Sequence, residues 1–106
     1  MQLRDLYDLL SPHLLQGGFI QLIQNGYVRL LLPLHEELTA ANMNDMALLI
    51  DDALRQYVVD HDALDKPTTV QEFAQLYQQL PAFGPLHQRF IALHPATVER
   101  IVEHMG

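Results

Sequence analysis

The clearest pattern in the sequence is an amphipathic stripe in the middle of the chain. From about residue 44 to residue 58, apolar side chains recur at the spacing i, i+3, i+4, i+7 and i+11. These side chains are Met46, Leu49, Ile50, Ala53 and Tyr57. The spacing places them on one face of an α-helix, with Asp51 and Arg55 on the opposite face. The sequence therefore predicts a helix here with one buried side.

Capping residues and prolines predict the helices that follow. Either threonine of Thr68-Thr69 can cap a helix, because an amide or acid stands three residues later, as in a capping box. That helix is predicted to end at Pro81. Gly84-Pro85 then opens a short helix, and Pro95 starts the last one, since proline suits the first helical turn.

The N-terminal segment predicts a helix broken by proline. Leucines at positions 3, 6, 9 and 10 follow helical spacing. Ser11-Pro12 is typical of an N-cap followed by the first helical residue, so a new short helix or turn is expected after it. This second piece is predicted to end at Gly17-Gly18.

The segment at about residues 19–32 fits two structures. Two apolar runs flank Asn25-Gly26, the dipeptide best suited to a two-residue type I′ hairpin turn. With that turn, one face of the ribbon is apolar at five of six positions. The same residues also fit the period of a second helix, because short apolar runs are ambiguous. We favour the β-hairpin and leave the helix as the alternative.

These elements together predict a mainly α fold. The chain of 106 residues is close to the commonest domain size, and 49% of its residues are hydrophobic, enough to fill one core. We expect a single domain over residues 1–106, with five or six short helices around one β-hairpin.

The charge balance excludes several classes of partner. The net charge is −7, and the six basic residues are scattered along the chain. Nucleic acids and anionic membranes are bound through clusters of Lys and Arg, so neither is an expected partner. No apolar run is long enough to span a membrane. With no cysteine and no signal-peptide pattern, the expected location is cytoplasmic.

The residues available for chemistry predict no catalytic, cofactor or metal site. Ser11 is the only serine, and capping accounts for it. The six histidines lack metal-ligand spacing and have no cysteine partner. His61 lies among aspartates, but the pattern does not match a calcium loop. We therefore expect a protein that is not an enzyme.

Six of the thirteen acidic residues fall between positions 45 and 65. They are Asp45, Asp51, Asp52, Asp60, Asp62 and Asp65. A helix edge and the loop after it should then carry a negative patch, which would steer association with a basic partner. The sequence thus favours a small acidic protein-binding module, such as an adaptor, an inhibitor or an immunity-type protein.

The predicted hairpin suggests a second interaction surface. Ile20, Leu22 and Leu31 would lie on its outer face and stay partly exposed in a monomer. Unpaired strand edges also invite further pairing. We expect the ribbon either to pack between helices or to join a second copy across a two-fold axis, giving a homodimer.

Two segments resemble known families. The stretch from Val28 through Ala47 to Tyr57 resembles a ribbon-helix-helix unit, which implies a dimeric transcriptional regulator as the alternative function. Only Arg29 on its strand would contact bases. The stretch 44–71 resembles the second half of an acyl carrier protein, which implies a phosphopantetheine serine ahead of the helix. Met43 stands in that region, so no cofactor is expected and the chain is assigned to neither family.

Overall fold

The structure is a computed structural model that describes residues 2–65 and 69–105. Five α-helices make up almost all of it, and a 3-10 turn at Val28–Leu30 precedes the second one. The helices are α1 (Leu3–Gln24), α2 (Leu31–Ala40), α3 (Asn44–Leu64), α4 (Val70–Gln79) and α5 (Phe83–Met105). The described ranges contain no strand, so the mainly α prediction is confirmed at the level of helices.

The predicted β-hairpin at residues 19–32 is wrong. Asn25-Gly26 ends α1 instead of turning a ribbon. Gly26 has φ 86°, and its N–H donates to the Ile23 carbonyl at 3.0 Å, while the Tyr27 N–H donates to the Leu22 carbonyl at 3.2 Å. These two bonds form a Schellman cap. Such a cap and a type I′ turn both need a residue at positive φ, which is why Asn-Gly fits either one.

The break in α1 lies at Gly18, not at Pro12. The helix continues through Pro12, whose exposed side chain places the interrupted hydrogen bond on the water side of the helix. At Gly18 the backbone leaves the helical region, with φ 71° and ψ −164°. A Cβ there would lie 2.1 Å from the Tyr77 hydroxyl oxygen and 2.8 Å from Nδ1 of His87. Packing against α4 and α5 therefore requires glycine at this position.

Proline also fails to divide α5. The sequence predicted one helix from Gly84-Pro85 and another from Pro95, but a single helix of 23 residues begins at Phe83 and continues through Pro95. Pro95 is exposed, so the carbonyl that loses its intrahelical partner can be hydrated. A predicted pair of short helices is thus one long helix.

The core forms where α3 packs against α2 and α5, and where α1 packs against α5. Its largest fully buried side chains are the rings of Phe19, Phe83 and Phe90. Phe19 and Phe90 meet edge to face with centroids 6.5 Å apart, which joins α1 to α5. Full burial of each such ring contributes roughly 1.5–3 kcal/mol.

Helix α4 is attached to this core by few side chains. Leu76 is its one buried side chain, and Phe73 and Tyr77 are half-buried. The Tyr77 hydroxyl donates a hydrogen bond to the Gly17 carbonyl, at the break in α1. At its start, Thr69 and Glu72 form the predicted capping box. No helix in the described ranges is long and apolar enough to cross a membrane.

Candidate functional site

Two of the predicted acidic residues bind α5. An Asp45 carboxylate oxygen lies 3.1 Å from Nη1 of Arg100, and Oδ2 of Asp52 lies 2.8 Å from Nη1 of Arg89. These ion pairs join the start and the middle of α3 to the neighbouring helix. Their negative charge is balanced within the chain, so they contribute little to a surface that attracts a basic partner.

A third acidic residue is balanced within α3 itself. Asp51 accepts a hydrogen bond from Nε of Arg55 at 2.9 Å, one helical turn later. The sequence places both residues on the face opposite the apolar stripe, and i, i+4 is the spacing at which opposite charges pair on a helix. Three of the six predicted patch residues are therefore neutralised by arginines.

The other three acidic residues fall in the last turns of α3 and at its C-cap, and we call them the acidic end of α3: Asp60, Asp62 and Asp65. Asp60 accepts a hydrogen bond from Nε2 of Gln56 at 2.7 Å, and Asp65 accepts one from the Tyr57 hydroxyl at 2.6 Å. Within the described part of the chain, none of the three forms an ion pair with an arginine. Asp62 and Asp65 are exposed and Asp60 is half-buried, and no arginine balances their charge there.

Two exposed valines adjoin these carboxylates. Val58 is 69% exposed and Val59 is 74% exposed. Val58, Asp62 and Asp65 follow the spacing i, i+4, i+7, which places them on one face of α3. We call the five residues 58, 59, 60, 62 and 65 the α3 docking surface. The sequence prediction omitted the two valines. They come directly after Tyr57, the last residue of the buried apolar stripe, and this position was the signal that they could be exposed.

The electrostatics of this surface oppose helix stability. The C-terminal end of a helix carries a partial negative charge, so carboxylates there are unfavourable. Asp62 and Asp65 are also three residues apart, at a distance where like charges repel. The hydrogen bond to the Asp65 carboxylate raises the pKa of Tyr57, because ionising the hydroxyl would break that bond. A positive partner would relieve the repulsion.

No protein-family model, no curated protein and no solved structure matches this chain. Its function is therefore inferred from its own residues and their arrangement.

The three residues expected to mediate self-association lie in the core. Ile20 and Leu22 on α1 and Leu31 on α2 are all fully buried. The hairpin that would have exposed them is absent, and the same apolar side chains fill the interior of one chain. They therefore offer no surface to a second copy.

Metal-binding geometry is also absent from the part of the chain that the structure describes. No group of three or more histidine or carboxylate side chains there could hold a metal ion. His61 has its Nδ1 3.3 Å from an Asp62 oxygen and 3.8 Å from an Asp65 oxygen, as a neighbour of the acidic end of α3.

Proposed function

We propose that this protein is a protein-binding module that acts by occupying a basic partner protein through the α3 docking surface. It would work as an adaptor, an inhibitor or an immunity-type protein, without catalysis. One observation carries the proposal. The most exposed apolar pair on α3, Val58 and Val59, adjoins three carboxylates that no arginine balances in the described residues.

The chemistry of this surface defines its partner. Apolar side chains contribute most of the binding free energy when they are desolvated at the centre of an interface. Charges around them increase the association rate and exclude partners of the wrong sign. From Val58 to Asp65 the surface extends about 10 Å along the helix axis. A segment with a small apolar patch flanked by lysines or arginines would match it.

The distribution of arginines supports the same partner. Arg55, Arg89 and Arg100 balance acidic residues on the first two-thirds of α3. Negative charge is therefore concentrated at one end of the helix. With a net charge of −7, the whole molecule would also attract a basic protein at long range.

The proposal is tested by comparing tagged variants as baits in extracts of the native host. One variant carries Asp60→Asn, Asp62→Asn and Asp65→Asn, and another carries Val58→Gln and Val59→Gln. The matched control carries Asp5→Asn, Asp8→Asn and Glu103→Gln, which change the net charge equally at exposed sites on other helices. We expect one partner in fixed proportion to the wild type and the control, lost from both α3 variants.

Binding measurements with the purified partner then test whether charge attraction drives the association. Its affinity should fall as the salt concentration rises, since salt screens the attraction between exposed charges. Equal binding by the wild type and both α3 variants would contradict the proposal. Equal loss in the control would show that net charge alone governs capture, and would contradict it as well.

The structure does not contain the strand that a ribbon-helix-helix regulator would need in this segment. The strand on which that resemblance depends is a 3-10 turn and the start of α2. Arg29, the residue expected to contact bases, lies in that turn.

A further inference from the structure

The end of α1 carries the only Asn-Gly pair in the sequence, Asn25-Gly26. An asparagine side chain can react with the backbone nitrogen of the next residue, and glycine permits this best because it has no Cβ to obstruct the approach. Both residues are exposed. A Cβ built on Gly26 would meet no atom within 4 Å, so the reacting groups and water have room there.

The reaction exchanges one amide for another and then adds water. The Gly26 backbone nitrogen attacks Cγ of Asn25 and gives up its proton. A bond forms between these two atoms, the bond from Cγ to Nδ2 breaks, and ammonia leaves with that proton. Water then opens the cyclic imide at one of its two carbonyls, which leaves an aspartate or an isoaspartate at position 25.

The folded end of α1 restrains each group that takes part. The attacking Gly26 nitrogen donates its N–H to the Ile23 carbonyl at 3.0 Å. The departing nitrogen, Nδ2 of Asn25, lies 3.0 Å from Nδ1 of His13. Asn25 has ψ 2°, which directs the Gly26 nitrogen towards the Asn25 backbone nitrogen and away from the side chain. The reaction therefore requires the last turn of α1 to open.

The position of the pair makes that opening easy. Asn25 is the C-cap of α1, and helix ends open at a lower free energy than helix interiors. Because both residues are exposed, their movement brings no new apolar surface into water. The other two asparagines offer a comparison within the chain, since Asn42 precedes methionine and Asn44 precedes aspartate, which both carry a Cβ.

The products cannot rebuild the same helix end. In the imide the Gly26 nitrogen carries no hydrogen, so its bond to the Ile23 carbonyl is lost. An isoaspartate adds one carbon atom to the backbone and so displaces the Tyr27 N–H from the Leu22 carbonyl, its partner at 3.2 Å. Both acidic products also place a carboxylate at the C-terminal end of a helix, where negative charge is unfavourable.

We propose that Asn25 is a site of spontaneous deamidation, restrained by the Schellman cap and by His13 and reached when the end of α1 opens. Conversion to isoaspartate then prevents the cap from forming again. The site lies on α1, apart from the α3 docking surface, so the proposal does not depend on the proposed function.

The experiment follows all three asparagines in one sample. The folded full chain is incubated in mildly alkaline buffer, and peptide mapping by mass spectrometry measures conversion at each position over time. Asn25 should convert at least roughly ten-fold faster than Asn42 or Asn44, the ratio given by a barrier lower by about 1.4 kcal/mol. Equal rates at the three positions would overturn the proposal.

Two comparisons test the restraint by the fold. In urea that unfolds the chain, conversion at Asn25 should accelerate, because the cap no longer holds the Gly26 nitrogen. His13→Leu frees the Asn25 carboxamide and should accelerate conversion in the folded chain. The matched control is His35→Leu, at a half-buried site on α2, and it should not. Unchanged conversion in urea, or equal conversion in the two histidine variants, would contradict the proposed restraint.

The isolated products test the structural consequence. Chromatography separates the isoaspartate form, in which hydrogen exchange at the Tyr27 amide should be faster than in the unmodified chain. Asn25→Asp has the same charge with a normal backbone, so exchange should increase less in that variant. Full protection of the Tyr27 amide in the isoaspartate form would overturn the claim that modification prevents the cap.

Discussion

At the scale of single residues, Gly18 has the greatest structural consequence. Its φ of 71° and the nearby Tyr77 hydroxyl both exclude a side chain. Gly26 also has a positive φ, 86°, but a Cβ there would meet no atom within 4 Å. An alanine at position 26 would therefore suffer only from its unfavourable backbone conformation. An alanine at position 18 would suffer from that and from a steric clash as well.

We expect Gly18→Ala to destabilise the protein by roughly 2–4 kcal/mol, because strain and a steric clash add. Gly26→Ala should lose only about 1 kcal/mol, from the backbone alone. Urea unfolding of the two variants measures both values. Equal losses would contradict the close packing of Tyr77 and His87 against Gly18.

His94 is a second residue of consequence, because its protonation should make the stability of the fold depend on pH. Its Nδ1 lies 2.7 Å from the Tyr7 hydroxyl, and the two rings stack with centroids 5.6 Å apart. Burial lowers the pKa of His94. The folded state therefore binds a proton less readily than the unfolded chain does.

The stability contributed by neutral His94 should be complete above about pH 6.5, the ordinary pKa of histidine. It should be lost as the pH falls from there through the lowered pKa of the folded state. Unfolding free energies measured by urea across this range should decrease with falling pH. The decrease should be smaller in His94→Gln, which cannot titrate, and identical profiles would refute the assignment.

At the scale of elements, α4 shows how the stability of a helix is divided between its local cap and its tertiary packing. The capping box predicted from the sequence is present, with the Glu72 N–H donating to Oγ1 of Thr69 at 3.2 Å and the Thr69 N–H donating to the Glu72 carboxylate at 3.3 Å. Few tertiary contacts support this ten-residue helix, so its cap contributes a large share of its local stability.

Thr69→Ala should therefore reduce the local stability of α4 by about 1 kcal/mol. Amide hydrogen exchange within α4 should accelerate roughly five-fold, since that factor corresponds to about 1 kcal/mol. Gln75→Ala, at an exposed site of the same helix, should leave exchange unchanged or slower. Unchanged exchange in Thr69→Ala would show that tertiary packing alone holds α4.

At the scale of the whole molecule, the uneven distribution of charge is the dominant property. Four arginines form ion pairs within the described residues, yet the chain keeps a net charge of −7. Exposed ion pairs of this kind each contribute little to stability. The acidic end of α3 carries part of the remaining repulsion.

We expect the variant with asparagine at positions 60, 62 and 65 to be at least as stable as the wild type at low salt. Asparagine removes the repulsion and the unfavourable interaction with the helix dipole. Thermal unfolding should show this difference shrinking as salt shortens the screening length. A clear loss of stability would mean that these acidic residues serve the fold instead of a partner.

The sequence by itself determined what depends on nearby residues. The apolar stripe predicted α3 from Asn44, and the Thr69 capping box predicted the start of α4. The clustered aspartates predicted a negative patch, but the residues assigned there to a loop after residue 58 are the last turns of α3, which ends at Leu64. Periodicity, capping and local charge act over a few residues, so they can be recognised without a fold.

Only the tertiary structure decided the rest. Asn25-Gly26 satisfies a hairpin or a helix cap equally, and burial of Leu22 in the core favoured the helix. The partner of Asp45 is 55 residues away, so the sequence could not show which acidic residues stay uncompensated. The hydrogen bond from the Tyr77 hydroxyl to the Gly17 carbonyl likewise joins residues that are 60 positions apart. These features depend on contacts between distant segments, whose free energy is gained only when the chain has folded.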